Sequence, residues 1–204
     1  MRRGSNLPDE VCRLICVRHA RSEGEGIFMG QKDAPLSAYG RRQLPAVAKK
    51  LYSYHVRAIY ASDLQRATAT AAAISRLLGV DVESRSALRE IQLGCWEGLS
   101  WAEISERFPQ VAHKWMRNYP CEPIPGGEAF HDFKSRVRHE LRQLIAAHTG
   151  ECVVVVTHAG VIRVTIASAL GIPDRNLSRI TQDFGGMSII DYFGGGAIVR
   201  SVNA

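Results

Sequence analysis

The most informative stretch of this chain is Leu14-Ile15-Cys16-Val17-Arg18-His19-Ala20. Its apolar residues predict a buried strand. A strand that ends in Arg18 and His19 brings a cation and an imidazole to the carboxyl edge of a sheet, where open α/β folds bind their ligands. The run Val153-Val154-Val155-Val156-Thr157-His158-Ala159-Gly160 repeats this arrangement far downstream. Either histidine alone is more often a structural residue, but the two strands together predict one pocket that contains both His19 and His158.

Strand and helix patterns alternate along the chain, which predicts an α/β fold. We expect a three-layer α/β/α sandwich with a mostly parallel six-stranded sheet. Residues 100–149 show no strand pattern, so we expect a helical insertion at about 99–149 that lies over the active site. The predicted strands are residues 11–17, 58–61, 80–83, 151–157, 188–192 and 197–202. Helices are expected from the N-cap Ser37 to about 51, from the cap Ser62-Asp63 to 78, and at 100–108, 111–119, 128–148 and 161–170.

The length of 204 residues suits a single domain. We assign it to residues 11–204 and expect residues 1–10 to form a flexible polar tail. This tail carries no apolar run typical of a signal peptide, and no apolar stretch approaches the length of a membrane span. The expected location is therefore the cytoplasm.

The chain carries a formal net charge of +6 at pH 7. Such a charge is consistent with a solvated basic surface or with a preference for anionic ligands. The basic residues are dispersed and form no aromatic-interleaved stripe, so nucleic-acid binding is not expected. We expect a monomer or a homodimer without membrane partners.

Cysteine usage suggests a reducing compartment. The five cysteines are an odd number and include no CxxC pair. We therefore expect all five to be reduced, buried, small apolar residues. No metal site and no cofactor are expected from the spacing of the metal-ligating residue types.

Two further residues have the chemistry of a phosphate site. Arg66 falls on the first turn of the second predicted helix, where helix N–H groups and a guanidinium favour phosphate oxygens. Glu90 follows a strand, and a carboxyl group beside a dianionic phosphate can keep a proton for donation to a leaving group. Taken alone, Arg66 is equally compatible with a simple surface position, and a glutamate in the position of Glu90 is more often a surface residue.

Together these segments resemble the histidine phosphatase superfamily, also called the phosphoglycerate mutase-like family. Val17-Arg18-His19-Ala20 is similar to its Arg-His-Gly signature, and the resemblance extends over about residues 14–192. Five more motifs follow in the family's order: Gly30-Gln31-Lys32-Asp33-Ala34-Pro35-Leu36, Ala61-Ser62-Asp63-Leu64-Gln65-Arg66-Ala67, Leu88-Arg89-Glu90-Ile91-Gln92-Leu93-Gly94-Cys95-Trp96-Glu97-Gly98, Pro125-Gly126-Gly127-Glu128 and Val156-Thr157-His158-Ala159-Gly160-Val161-Ile162-Arg163.

The resemblance implies a metal-independent phosphatase that hydrolyses a small phosphorylated metabolite through a phosphohistidine. His19 would attack phosphorus, and Arg18, Arg66 and His158 would hold the equatorial oxygens. Glu90 would protonate the leaving oxygen and then activate water. The other ring nitrogen of His19 should carry the N–H and donate it to a backbone carbonyl. Substrate-binding residues on this basis are Ser22, Glu25, Met29, Gly30 and Ala159.

The chain departs from the family pattern near the first histidine. Ala20 replaces a glycine, and its methyl group is expected to fit while crowding the loop. Glu25 stands where the family has an asparagine that contacts the phosphoryl group, and Arg21 stands where acidic residues are frequent. We expect Arg21 to offset part of the Glu25 charge.

Aromatic and apolar residues in the insertion allow two interpretations. They form a small core of their own, or one or two of them line an apolar pocket for the leaving group. Met29, in the presumed substrate loop, favours a less polar leaving group. The insertion residues in question are Trp101, Phe108, Trp115, Met116 and Tyr119.

Alpha-ribazole phosphatases and broad-specificity phosphatases are the family members most similar in length and motif, which implies alpha-ribazole phosphate or a sugar or glycerate phosphate as the substrate. A cofactor-dependent phosphoglycerate mutase is the alternative, but Leu93 and Gly160 replace the tyrosine and asparagine of the mutases. A catalytically weak ligand- or protein-binding module on the same fold is a third hypothesis, which Ala20 and Glu25 keep open.

Overall fold

A computed structural model describes Pro8 and residues 10–204. Its main sheet has six strands in the order β4-β3-β6-β1-β7-β8. Strands β1, β3, β4 and β6 run parallel, and β7 and β8 extend the sheet antiparallel. The expected mostly parallel six-stranded sheet is confirmed, whereas the predicted N-terminal tail lies largely outside the described residues. The strands are β1 (Cys12–Arg18), β2 (Ile27–Phe28), β3 (Val56–Ala61), β4 (Val82–Ser84), β5 (Leu99–Ser100), β6 (Cys152–Thr157), β7 (Met187–Phe193) and β8 (Gly196–Ser201).

Helices cover both faces of the sheet, which confirms the three-layer sandwich. Successive side chains of β1 point to opposite faces, as strand geometry requires. Leu14 and Cys16 pack with α5 and α6, while Ile15 and Val17 pack with α1 and α2. The helices are α1 (Ala38–Lys49), α2 (Gln65–Leu78), α3 (Trp101–Arg107), α4 (Pro109–Asn118), α5 (Phe130–Ala147) and α6 (Ala159–Leu170), with 3₁₀ turns at Ser86–Leu88, Gly94–Trp96 and Asp174–Arg179.

The segment 99–149 divides into two parts. Helices α3 and α4 form a satellite cluster with Trp96, Ile104 and Ala112 in its interior. Helix α5 instead packs on the sheet through Phe133 and Val137, as one of the outer layers. The segment also contributes strand β5, which pairs with β2 in a two-stranded sheet that the sequence did not predict. Each of these strands has only two residues, too few for an alternating pattern to be visible.

Helix caps were predicted correctly in one case and incorrectly in another. The Ser37 hydroxyl accepts a hydrogen bond from the Gly40 N–H at 3.0 Å, as a capping residue does. The second helix begins later than predicted, at Gln65, and its first N–H donates to Asp33 Oδ1 at 2.8 Å. Asp63, expected to cap this helix, instead forms an ion pair with Arg89 at 2.7 Å.

The prediction that all five cysteines are buried is wrong for two of them. Cys12, Cys16 and Cys152 are buried in the strands, whereas Cys95 and Cys121 are exposed in turns outside the sheet. All five are free thiols. The three buried thiols lie in β1 and β6, two strands of the main sheet that helices cover on both faces.

Candidate active site

A cleft of about 400 Å³ opens at the carboxyl ends of β1 and β6. Because these parallel strands are neighbours, Arg18 pairs with Thr157 and the two following histidines lie side by side. The ring centroids of His19 and His158 are 5.0 Å apart. All ten residues that the sequence analysis selected line this cleft: Arg18, His19, Ser22, Glu25, Met29, Gly30, Arg66, Glu90, His158 and Ala159.

His19 is held in one orientation. Its Nδ1 lies 2.8 Å from the Ala20 carbonyl oxygen, so this nitrogen carries the proton and donates, as expected. Nε2 is then the nitrogen with a free lone pair. Burial, together with the Arg66 and Arg18 guanidinium groups, keeps the His19 pKa well below its usual value. The imidazole is therefore neutral at ordinary pH. The Ala20 methyl group fits, because Ala20 is fully buried and its N–H donates to the Thr70 hydroxyl.

The two arginines reach the cleft in fixed positions. Arg66, on the first turn of α2, donates to the carbonyl oxygens of Gly30 and Lys32 at 2.7 and 2.9 Å. Arg18 donates through Nη1 to the Gln182 carbonyl, and its Nε is buried without a partner within the described residues. Burial lowers the pKa of Arg18 to about 10, so it keeps its charge at neutral pH. An anionic ligand would provide the partner that Arg18 Nε lacks among the described residues.

His158 occupies the N-cap position of α6 and is 1% exposed. Its Nε2 lies 2.9 Å from the Ser62 hydroxyl, while Nδ1 is buried without a partner in the described part of the chain. Burial and the neighbouring His19 keep the pKa of His158 well below its usual value. An N–H at Nδ1, with Nε2 accepting from Ser62, would present a donor to a phosphoryl oxygen.

Glu90 is held by two backbone amides. Its Oε2 accepts from the Gly160 N–H at 2.9 Å and its Oε1 from the Ile91 N–H at 3.0 Å. A Cβ at Gly160 would lie 2.2 Å from Oε1. A side chain at this position would therefore require the Glu90 carboxylate to move away from its present position.

Comparison with known protein families identifies the family to which this chain belongs. The family model for the histidine phosphatase superfamily (branch 1) matches residues 14–204. The chain belongs to the histidine phosphatase superfamily. The resemblance found from the motifs is thereby confirmed, and several of the chain's relatives are named as phosphatases.

The relatives include phosphatases with different substrates in their names. Phosphoserine phosphatase 1 of Hydrogenobacter thermophilus is 32% identical over 79% of this chain and 78% of its own length. The solved mycobacterial glucosyl-3-phosphoglycerate phosphatase is 28% identical, with a TM-score of 0.85 over 95% of this chain and 99% of its own. The alpha-ribazole phosphatase of Shigella flexneri is 25% identical, with a TM-score of 0.86 over 94% and 96%.

Some curated relatives are longer proteins. The chain is 35% identical to a bifunctional protein of Mycobacterium tuberculosis over 94% of its own length, and it spans about half, 53%, of that relative.

Glu25, which stands where the family has an asparagine, forms an ion pair. Arg21 Nη1 lies 2.8 Å from Glu25 Oε2, and both side chains are partly exposed at the mouth of the cleft. The pair confirms that Arg21 offsets the charge of Glu25. The position that holds an asparagine in the superfamily therefore brings no uncompensated negative charge to the cleft.

Sequence reasoning missed Phe184 as a cleft residue. Its ring covers the Arg18 guanidinium at 3.7 Å and lies 5.5 Å from the His19 ring. No motif points to Phe184, because it reaches the cleft from the loop before β7. Arg163 also lines the cleft. It stands in a quoted motif, but the spacing gave it no role.

Both interpretations of the insertion aromatics hold, and Trp115 fits both. Trp101, Phe108 and Trp115 pack around the satellite cluster, and Trp115 and Tyr119 also line the cleft. Met116 does neither and is 66% exposed, so its assignment to either group is wrong.

Within the described residues, no His, Cys, Asp and Glu side chains form a group of three or more that could hold a metal ion. None of the helices that the structure describes is both long and apolar enough to cross a lipid bilayer.

Proposed function

We propose that this protein is a phosphomonoesterase that hydrolyses a small phosphorylated metabolite through a phosphohistidine on His19. The observation that carries the proposal is the His19 imidazole, buried and neutral, with Nδ1–H held by the Ala20 carbonyl and Nε2 left free. A neutral imidazole with a fixed tautomer is what an attack on phosphorus requires.

In the first step His19 Nε2 forms a bond to phosphorus, and the bond from phosphorus to the ester oxygen breaks. Arg18 and Arg66 bind the equatorial oxygens, and His158 donates from Nδ1. Positioning and charge stabilisation of this kind are the main requirements of phosphoryl transfer. The unpartnered Arg18 Nε and His158 Nδ1 support these roles.

Glu90 donates its proton to the leaving oxygen. In the second step Glu90 accepts a proton from water, whose oxygen attacks the phosphohistidine, so that phosphate leaves and His19 is restored. The two amides that hold Glu90 fix its position beside the cleft. Ser22, Met29, Gly30 and Ala159 line the space around the substrate.

Gly160 counts against the mutase alternative. The mutases carry an asparagine there, and in this chain a Cβ at this position would require the Glu90 carboxylate to move. Because all the cysteines are free thiols, we place the protein in the cytoplasm. A substrate panel should include phosphoserine, glucosyl-3-phosphoglycerate and alpha-ribazole phosphate, after the names of the relatives.

The proposal is tested by trapping the phosphoenzyme. The protein is mixed with ³²P-labelled phenyl phosphate, quenched in base and analysed for acid-labile protein-bound label. The wild-type chain should carry label on His19, and His19→Asn should carry none. His131→Asn is the matched control, because that side chain is 88% exposed on α5, and it should label normally. Label on another residue, or label retained in His19→Asn, would refute the mechanism.

A further inference from the structure

Part of the cleft lining is apolar. It includes Ile27, Phe28, Met29, Ile91, Leu93 and Trp115. A smaller enclosed pocket of about 60 Å³ continues from this region and shares Leu93 and Trp115 with it. A leaving group in this place would lie against hydrocarbon and aromatic surface.

Arg163 is the cation of this region. It lies one turn after Gly160 on α6, so both residues share the helix face that contacts Glu90. Arg163 lines both the cleft and the smaller pocket. Its Nε donates to the Ile180 carbonyl at 2.8 Å, which fixes the guanidinium and leaves its terminal nitrogens outside any ion pair of the described residues.

The carboxylates around the two cavities already have partners. Glu25 pairs with Arg21, Glu128 with Arg136, and Glu122 accepts from the Asn118 amide. Glu90 is bound by backbone amides. None of these four carboxylates forms an ion pair with Arg163.

Three cations line the cleft, one more than a phosphoryl dianion balances. Arg18 and Arg66 balance that dianion, and Arg163 has no ion-pair partner among the described residues. Tyr119 lies beside it; burial raises the pKa of Tyr119, so its phenol stays neutral and adds no negative charge.

We infer that the leaving group is an aromatic or aliphatic alcohol that carries a carboxylate, and that Arg163 binds this carboxylate. The inference rests on the proposed phosphomonoesterase function. It predicts a preference for esters that combine an apolar body with a second anionic group.

The test compares esters of equal shape and different charge. Phosphate release is measured from the 3- and 4-isomers of (carboxymethyl)phenyl phosphate and from the corresponding uncharged amides. The methylene group keeps the leaving phenols electronically similar. The wild-type chain should favour a carboxylate over its amide by roughly 10- to 100-fold in kcat/KM, the range of a charge-assisted hydrogen bond.

In Arg163→Gln this preference should fall to about one, and Arg163→Lys should keep part of it, because a lysine retains the charge without the planar fork. Arg142→Gln is the matched control, since Arg142 is exposed on α5 and bonds only within its own helix, and it should keep the full preference. Thermal unfolding checks the fold, and Arg163→Lys decides the result if Arg163→Gln does not fold.

The outcomes separate the two proposals. Hydrolysis of the esters without preference for the carboxylate, or a preference unchanged in the Arg163 variants, would overturn the role of Arg163 and leave the proposed function intact. Phosphate release from none of the esters would instead overturn the proposed function, and this inference with it.

Discussion

Replacing Gly160 with alanine tests the position of Glu90 without touching its carboxyl group. The added Cβ would lie 2.2 Å from Oε1 and 3.3 Å from Oε2, and real Cβ atoms do not approach other heavy atoms closer than 3.0 Å. The carboxylate must therefore move by about 1 Å, and it would weaken its hydrogen bond to the Gly160 N–H. A displacement of this size at a catalytic group costs on the order of 100-fold in rate.

The assay compares two leaving groups. Alkyl phosphates need a proton on the departing oxygen, whereas 4-nitrophenyl phosphate needs little protonation. With 2-phenylethyl phosphate, kcat of Gly160→Ala should fall by about 100-fold, and with 4-nitrophenyl phosphate it should fall much less. The split between the substrates shows that proton donation, and not substrate binding, is affected.

Stability separates this effect from misfolding. Alanine is favoured over glycine within a helix by up to about 1 kcal/mol, so Gly160→Ala should unfold within about 4 °C of the wild-type Tm. Gly194→Ala, in the hairpin between β7 and β8, is the matched control, because its Cβ would meet no atom within 4 Å. Full activity of Gly160→Ala on the alkyl ester would refute the assignment of Glu90 as the proton donor.

Three further predictions concern catalysis, metals and pH. Glu90→Gln should lower kcat by roughly 10²–10⁴-fold on an alkyl phosphate and less on 4-nitrophenyl phosphate; equal losses would show a different role. Activity should survive EDTA in a phosphate-release assay, and a loss restored by Mg²⁺ or Zn²⁺ would contradict this. Burial alone would raise the pKa of Asp191, but hydrogen bonds from Arg13 and Arg200 hold it below its usual value. This stabilisation is therefore present above the pKa of the unfolded chain, about 4, and is lost as pH falls through the folded value. Asp191→Asn should lower the unfolding free energy at pH 7 by about 1.5–3 kcal/mol and flatten its decline in acid, as urea denaturation would measure; an unchanged pH profile would contradict this.

The sequence by itself predicted the sheet and the position of its ligand site. The apolar runs of β1 and β6 are visible because buried parallel strands carry continuous apolar residues. Since both strands run in the same direction, the residues that follow them, His19 and His158, meet at one edge. The family motifs then pointed to Arg66 and Glu90, and both residues line the same cleft in the structure.

Local sequence patterns were less informative where the hydrogen-bonding or strand-pairing partner of a residue lies far away in the sequence. Asp33, and not Asp63, bonds the first N–H of α2, because the loop between β1 and α1 folds back over that helix end. The two-residue strands β2 and β5 pair across about seventy positions, too distant and too short for any periodicity to predict.

Only the tertiary structure decided the geometry of the charges in the cleft. The sequence predicted that Arg21 offsets the charge of Glu25, and the structure showed the ion pair that does so. Phe184 and Arg163 also line the cleft, although both lie far downstream of β1 in the sequence. A sequence pattern shows which charged side chains are present and which strand, helix or loop carries them. Charge balance depends on the distances between those side chains. The distances are set only when the helices have packed on the sheet.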